Sequence, residues 1–156
     1  MSARTLAEPF PVVTPETDAM EAAQVMAEQH LAGLIVCGED GRPYTILPGS
    51  EVLRFLIPVY VQDDPALARA LDEQASDQLF GRLVRTTVRD LLPRRQDRDE
   101  LPVVDADATA LEVAAVMAHM HSPLVAVIDE SDGDRVIGAI TVSRLLERLL
   151  PTRPAS

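Results

Sequence analysis

Residues 102–127, PVVDADATALEVAAVMAHMHSPLVAV, have an earlier copy in the same chain at residues 11–36, PVVTPETDAMEAAQVMAEQHLAGLIV. Laid over one another without a gap, Val12-Val13 falls on Val103-Val104, Glu21 on Glu112, Val25-Met26-Ala27 on Val116-Met117-Ala118, and His30 on His121. A unit that recurs at this size is a structural module that buries its apolar face against its own copy.

Reading outward from the repeat, Pro11-Val12-Val13-Thr14-Pro15 combines prolines with β-branched residues and predicts an extended segment. A helix follows in each copy. Asp18 and Glu21, and again Thr109 and Glu112, have capping-box spacing. Met20, Ala23, Met26, Ala27 and His30, matched by Leu111, Ala114, Met117, Ala118 and His121, recur at helical spacing and predict the packed face. Short apolar runs at 34–37 and 124–128 then read as strands buried on two sides, each closed by a turn, at 38–41 and 129–134.

In the second copy a β-branched strand over 135–141 and a helix over 143–150, stopped by Pro151, complete a β-α-β-β-α unit. The matching strand of the first copy, Tyr44-Thr45-Ile46-Leu47, is broken by Pro48-Gly49 before Ser50 opens a helix over 51–57. Between the units, Asp64-Pro65 signals a helix start, with a helix over 66–74 carrying Leu67, Ala70 and Leu71 on one face, and a second short helix over 77–83. TVRDLL at 87–92 takes the role that residues 5–10 have for the first copy, and RRQDRDE at 94–100 reads as a solvated loop. The fold class is α/β (α+β), divided as repeat 1 at 1–60, an inserted helical connection at 61–85, and repeat 2 at 86–156.

Composition removes several functional classes. The formal net charge of −11 repels phosphate backbones, and two tyrosines and three phenylalanines leave little to stack on bases, which argues against nucleic acid as partner. The start lacks the apolar core of a signal peptide, and no apolar run approaches the roughly 20 residues of a membrane span. The expectation is a soluble cytoplasmic protein without membrane insertion. Cys37, the single cysteine, excludes an intrachain disulfide and reads as a strand residue.

Two β-α-β-β-α units, each with a lead-in, a PVV segment, a helix of the EAAxxM type and a strand ending in an acidic-glycine turn, resemble a pair of CBS domains (cystathionine-β-synthase type), a Bateman module. The ordered series TVRDLL, TALEVAAVM and DGDRVIGAITVSRLL is the most specific part of the likeness. The resemblance implies two repeats packed with pseudo-twofold symmetry, homodimers formed through the helices, and clefts that bind AMP, ADP, ATP or S-adenosylmethionine as regulatory ligand rather than as required cofactor. It implies a freestanding sensory module that modulates a separate, unidentified protein partner, and not an enzyme. A ligand-free dimeric scaffold with vestigial clefts is the alternative.

The family's sites carry G-h-x-T/S-x-x-D, with h apolar. The Thr or Ser hydroxyl and the amides of the following helix start face phosphate, and the Asp accepts from ribose hydroxyls. Gly138-Ala139-Ile140-Thr141 keeps the phosphate end, but Arg144 stands in the place of the Asp. In the first copy the Thr position is Pro48 and the Asp position is Glu51. The resemblance assembles a favoured cleft from Thr14, Gly33, Leu34, Thr141 and Arg144, and a second from Asp105, Pro123, Leu124, Ser50 and Glu51. The favoured one has two hydroxyls and an arginine, where Asp105 in the other repels phosphate.

Other polar groups do not form a chemical constellation. His119 and His121 lie two apart and do not share a helical face, so with His30 they predict no metal site, and the equivalence of His30 and His121 points to a capping or packing role. Ser122 and Ser143 lie outside any nucleophile elbow. Asp64 reads as a helix cap, and Asp63, Asp105 and Asp107 as solvated loop residues.

Overall fold

A computed structural model describes residues 1–98 and 100–151. In chain order the elements are α1 (Ala3–Leu6), β1 (Val12–Val13), α2 (Ala19–Glu28), β2 (Gly33–Cys37), β3 (Pro43–Pro48), α3 (Gly49–Leu56), α4 (Val59–Asp63), α5 (Glu73–Phe80), α6 (Val88–Leu91), β4 (Val103–Asp105), α7 (Ala110–Met120), β5 (Leu124–Asp129), β6 (Arg135–Thr141) and α8 (Val142–Leu149). Short 3-10 turns lie at Pro65–Ala70, Gly81–Leu83, Arg95–Asp97 and Glu130–Asp132. The chain forms two compact units, one from Met1–Phe10, Gly38–Tyr44 and the chain from Glu100 onward, the other from Pro11–Cys37 and the chain from Thr45 to the end of the connection.

Each unit is built on a three-stranded sheet, β1-β2-β3 or β4-β5-β6. The repeat persists at the level of hydrogen bonds. Val12 pairs with Ile35 and Val13 with Val36, and the equivalent residues Val103 and Val104 pair in parallel with Ala126 and Val127. The central strands β2 and β5 carry the continuous apolar runs because both their faces are covered, and Leu34, Ile35, Val36, Val125, Ala126 and Val127 are all at 0% exposure. Cys37 belongs to this buried row. The strand β3 runs through Pro48 rather than breaking before it, since Pro48 closes the strand in extended conformation as the residue that caps α3.

The two equivalent helices bury the predicted Met26 and Met117, but the rest of the inward stripe is rotated from the one the spacing predicts. Ala19, Ala22 and Met26 of α2 and Ala110, Val113 and Met117 of α7 are buried, whereas Leu111 is 75% exposed. Both helices are apolar or small around much of their circumference, so periodicity alone does not select the stripe. The covering elements select it. Asp18 does cap α2 by position, but its side chain makes no capping bond, whereas Thr109 accepts from the Glu112 N–H at 3.1 Å. His30 and His121 both take left-handed backbone (φ 54° and 52°), and the next amide of each reaches back, Leu31 to Met26 O and Ser122 to Met117 O. Their equivalence is a helix-terminating geometry.

The lead-ins are exchanged between repeats. In α1 the Ala3 amide donates to Ala108 O and the Arg4 amide to Ala106 O, while Leu6 enters the cluster of Val113, Met117, Val125, Val127 and Ile140. In α6 the Val88 amide donates to Thr17 O and the Arg89 amide to Pro15 O, and Val88 and Leu91 pack with Ala19, Ala22, Leu34 and Val36. Pro15 and Thr17 are the repeat equivalents of Ala106 and Ala108, so the two contacts are the same contact made twice. The partner of Thr87-Val88-Arg89 is therefore Ser2-Ala3-Arg4, slightly upstream of the predicted 5–10.

The connection departs most from the sequence reading. The segment predicted as a helix over 66–74 is a 3-10 turn, Pro65–Ala70, and Asp64 makes no capping bond. Asp72 accepts from the Ala75 N–H at 2.8 Å and starts α5 there, so the helix predicted over 77–83 begins at Glu73 and ends in a 3-10 turn. An Asp side chain that takes the amide three residues on ends one turn and opens the next. The short helix α4 lies in a stretch where the sequence reading placed no element.

Candidate functional site

The turn from β6 into α8 holds the residues with the most chemistry. Thr141 is the N-cap of α8 in extended backbone, and its Oγ1 accepts from the Arg144 N–H at 3.2 Å and lies 3.2 Å from Ser143 Oγ. The Val142 amide donates to Pro123 O at 2.9 Å. Two of the helix-start amides are thus already engaged within the chain, which narrows what the backbone alone offers an anion. The Thr141 hydroxyl accepts from the Arg144 amide and shares a second bond with the Ser143 hydroxyl, in which either oxygen can donate.

Arg144 does not project freely. Its Nε donates to Leu6 O at 3.4 Å and stands 3.3 Å from Glu8 Oε1, with 20% of the side chain exposed. Glu8 is fixed by backbone, since its N–H and C=O bond to Ala139 O and N, each at 3.0 Å. Gly138 makes this approach feasible, because a Cβ there would lie 2.5 Å from Glu8 O. Sequence reasoning missed Glu8. The available signal was Arg144 itself, a cation on a half-covered strand-helix turn that calls for a counter-ion.

Within the same unit, Leu124 pairs with Thr141 and Pro123 bonds the first residue of α8, so Pro123, Leu124, Thr141 and Arg144 cluster at one end of the sheet. Asp105 is at the other end, paired with Ile128. Its carboxylate accepts from the Asp107 N–H at 2.9 Å and the Glu130 N–H at 3.3 Å, and these bonds, the Asp107 one foremost, hold its pKa below the usual range. The neighbouring Asp129 is lowered in the same direction, first by the Ser131 hydroxyl, with Arg4 at 3.6 Å adding attraction. Asp105 is accordingly a loop-organising carboxylate rather than a merely solvated one.

In the other unit, Gly33 and Leu34 open β2 and are buried, and a Cβ on Gly33 would sit 3.0 Å from Leu47 O. Thr14 follows β1, whose Val13 pairs with Val36 near the far end of β2, and its N–H donates to Thr17 Oγ1 at 3.0 Å. Pro48 is the counterpart of Thr141, and Gly49 repeats the Val142 bond by donating to Ala32 O at 2.8 Å. Pro48 provides no side-chain cap. Ser50 and Glu51 are in the first turn of α3, where Glu51 stands 3.9 Å from Arg54.

Ser122 Oγ donates to Leu124 O at 2.7 Å and is spent on the local turn. Among the described residues no group of three or more His, Cys, Asp or Glu side chains is placed to hold a metal ion, and no helix is long and apolar enough to cross a membrane. Each unit also carries an apolar helical groove. One lies between α7 and α8 beside Ala114, Ala118, Leu146 and Leu149, and the other between α2 and α3 beside Ala23, Ala27, Leu53 and Phe80. These are the faces that the sequence assigned to internal packing.

The CBS domain profile matches residues 3–58 and 88–151. Comparison with curated proteins yields no match. Among solved structures, a CBS domain-containing protein of unknown function from Kribbella flavida is similar at 51% identity and a TM-score of 0.86, over 97% of this chain and 99% of that one. Hypoxic Response Protein I, solved with two coordinated zinc ions, is similar in fold at 24% identity and a TM-score of 0.62, over 97% of this chain and 100% of that one. CBSX2 of Arabidopsis thaliana, solved in complex with AMP, is similar in fold at 17% identity and a TM-score of 0.61, over 94% of each chain. With the three-stranded sheet, the helix after its first strand and the strand-helix turn each present twice, the chain belongs to the CBS-domain family and carries that domain in two copies.

Proposed function

We propose that this CBS pair is a regulatory module that binds an adenosine-containing ligand and passes the signal to a separate protein. The carrying observation is the Thr141 turn, a pair of hydroxyls, Thr141 and Ser143, held at the start of an eight-residue helix with an arginine three residues after the first. A hydroxyl and a guanidinium at a helix start favour an anionic group. The AMP complex of CBSX2 supports the class of ligand. The role we propose is regulatory rather than catalytic: beside the turn Ser122 bonds the Leu124 carbonyl, Ser143 lies against Thr141, and Glu8 pairs with Arg144, so neither serine is set against a general base.

Calorimetric titration of AMP, ADP, ATP and S-adenosylmethionine tests this reading, and at least one is expected to bind. Thr141→Ala is expected to weaken that binding about tenfold through loss of a charge-assisted hydrogen bond. Unchanged affinity in the variant would remove Thr141 from the site, and no binding of any of the four would remove the sensor role.

We further propose a homodimer in which the apolar grooves of α2/α3 and α7/α8 are covered by a second copy. Leu53, Leu111, Leu146 and Leu150 are each at least 47% exposed in the single chain. Exposed apolar surface of this extent marks an association face. Sedimentation is expected to give twice the 17.0 kDa chain mass at micromolar concentration, and a monomer would refute the dimer.

A ligand-free scaffold is the second reading. It is favoured by Pro48, which offers neither hydroxyl nor amide at the first-repeat turn, and by the ion pair that already occupies Arg144.

A further inference from the structure

Arg144 stands where the resemblance places a carboxylate, and it has a carboxylate of its own beside it. Glu8 Oε1 lies 3.3 Å from Arg144 Nε, and the same Nε donates to Leu6 O. The pair is half-covered, with Arg144 at 20% and Glu8 at 53% side-chain exposure. The Glu8 backbone is bonded on both sides to Ala139, directly before the turn that presents Thr141, which roots its carboxylate beside that turn. Both contacts use Nε, which anchors the guanidinium beside the turn.

A phosphate approaching Thr141 and Arg144 therefore meets a paired cation and, next to it, a carboxylate. Coulomb repulsion from that carboxylate grows with every negative charge on the ligand, and at 53% exposure it weakens as salt is added. We propose that Glu8 is a specificity determinant of this site, a built-in counter-ion that lowers affinity in step with ligand negative charge. The assignment rests on the adenosine reading above and deepens it. The ligand class that the pair admits best is an adenosine species carrying little negative charge, or a positive one such as S-adenosylmethionine, ahead of ATP.

The test is calorimetric titration of adenosine, AMP, ADP, ATP and S-adenosylmethionine into the wild-type protein and Glu8→Gln, which keeps side-chain size and all backbone bonds. Thermal unfolding of both proteins checks that the variant is folded. Removing the charge is expected to tighten ATP about tenfold and AMP about threefold, to leave adenosine within about twofold, and to weaken S-adenosylmethionine. The opposite sign for the cationic ligand separates charge from shape. A uniform change across the series, or none, would overturn the assignment while leaving the adenosine reading in place. Absence of binding by every ligand to both proteins would overturn the adenosine reading itself, and the role of Glu8 with it.

Discussion

Gly138→Val will cost the protein about 3 kcal/mol or more of folding stability, measured as a shift of the urea midpoint. The glycine is not placed for flexibility, since its φ is not in the left-handed region. Its hydrogen faces the lead-in, where a Cβ would stand 2.5 Å from Glu8 O and 3.3 Å from the Ala7 side chain. The first of these neighbours is backbone, held by two 3.0 Å bonds to Ala139, and it has no rotamer to change. Relief requires that the lead-in move away, which breaks both bonds and pulls Glu8 from Arg144. Overpacking and two lost hydrogen bonds together reach the stated magnitude. Gly81 is the control, because nothing lies within 4 Å of its Cβ position and its φ of −62° suits any L residue, so Gly81→Ala is expected to stay within about 0.5 kcal/mol. Equal midpoints for Gly138→Val and wild type would mean that the lead-in does not close on β6.

This glycine also shows where sequence reading stops. The G-h-x-T pattern was legible, and so was its position at the end of a strand, but the pattern suggested room for a ligand. In the structure the room at Gly138 is taken by the chain's own first residues. The same holds for the arginine. Arg144 reads as a departure from the expected Asp and calls for a counter-ion, but local spacing does not say which, because Glu8 and Arg144 meet only through exchange of the lead-in.

Elements fixed by local chemistry were readable in advance. The buried central strands, the second-copy strand and helix around Thr141, and the equivalent helix ends at His30 and His121 all follow from runs and caps within a few residues. Features set by what covers an element were not readable. The inward stripe of α7 is Ala110, Val113 and Met117, with the predicted Ala114 only partly covered and Leu111 turned outward, because α1 and the sheet approach from that side and an apolar helix accepts either orientation. In the connection, the helix start expected at Asp64 has no side-chain cap, and the cap that forms is Asp72 to the Ala75 amide, a residue the sequence reading does not single out.

The lead-in exchange itself makes the second prediction. Leu6 is 1% exposed and Val88 0%, and each fills the core cluster of the repeat that its own lead-in does not introduce. Leu6→Ala is expected to lose about 3 kcal/mol and Val88→Ala about 2 kcal/mol, as large-to-small changes at buried sites that collapse only in part. Their local signatures are expected to cross. In amide hydrogen exchange under native conditions, Leu6→Ala should accelerate Val125, Ala126 and Val127 of β5 more than Leu34, Ile35 and Val36 of β2, because sub-global opening follows the unit that lost its contacts. Val88→Ala should do the reverse. The crossing is a property of the topology, because a lead-in packed on its own repeat would give the opposite pattern from the same two variants. If Leu6→Ala loosens β2 at least as much as β5, the exchange is wrong. The account of Glu8 would then fall as well, since Glu8 reaches Arg144 only because the chain's first residues pack on the second repeat.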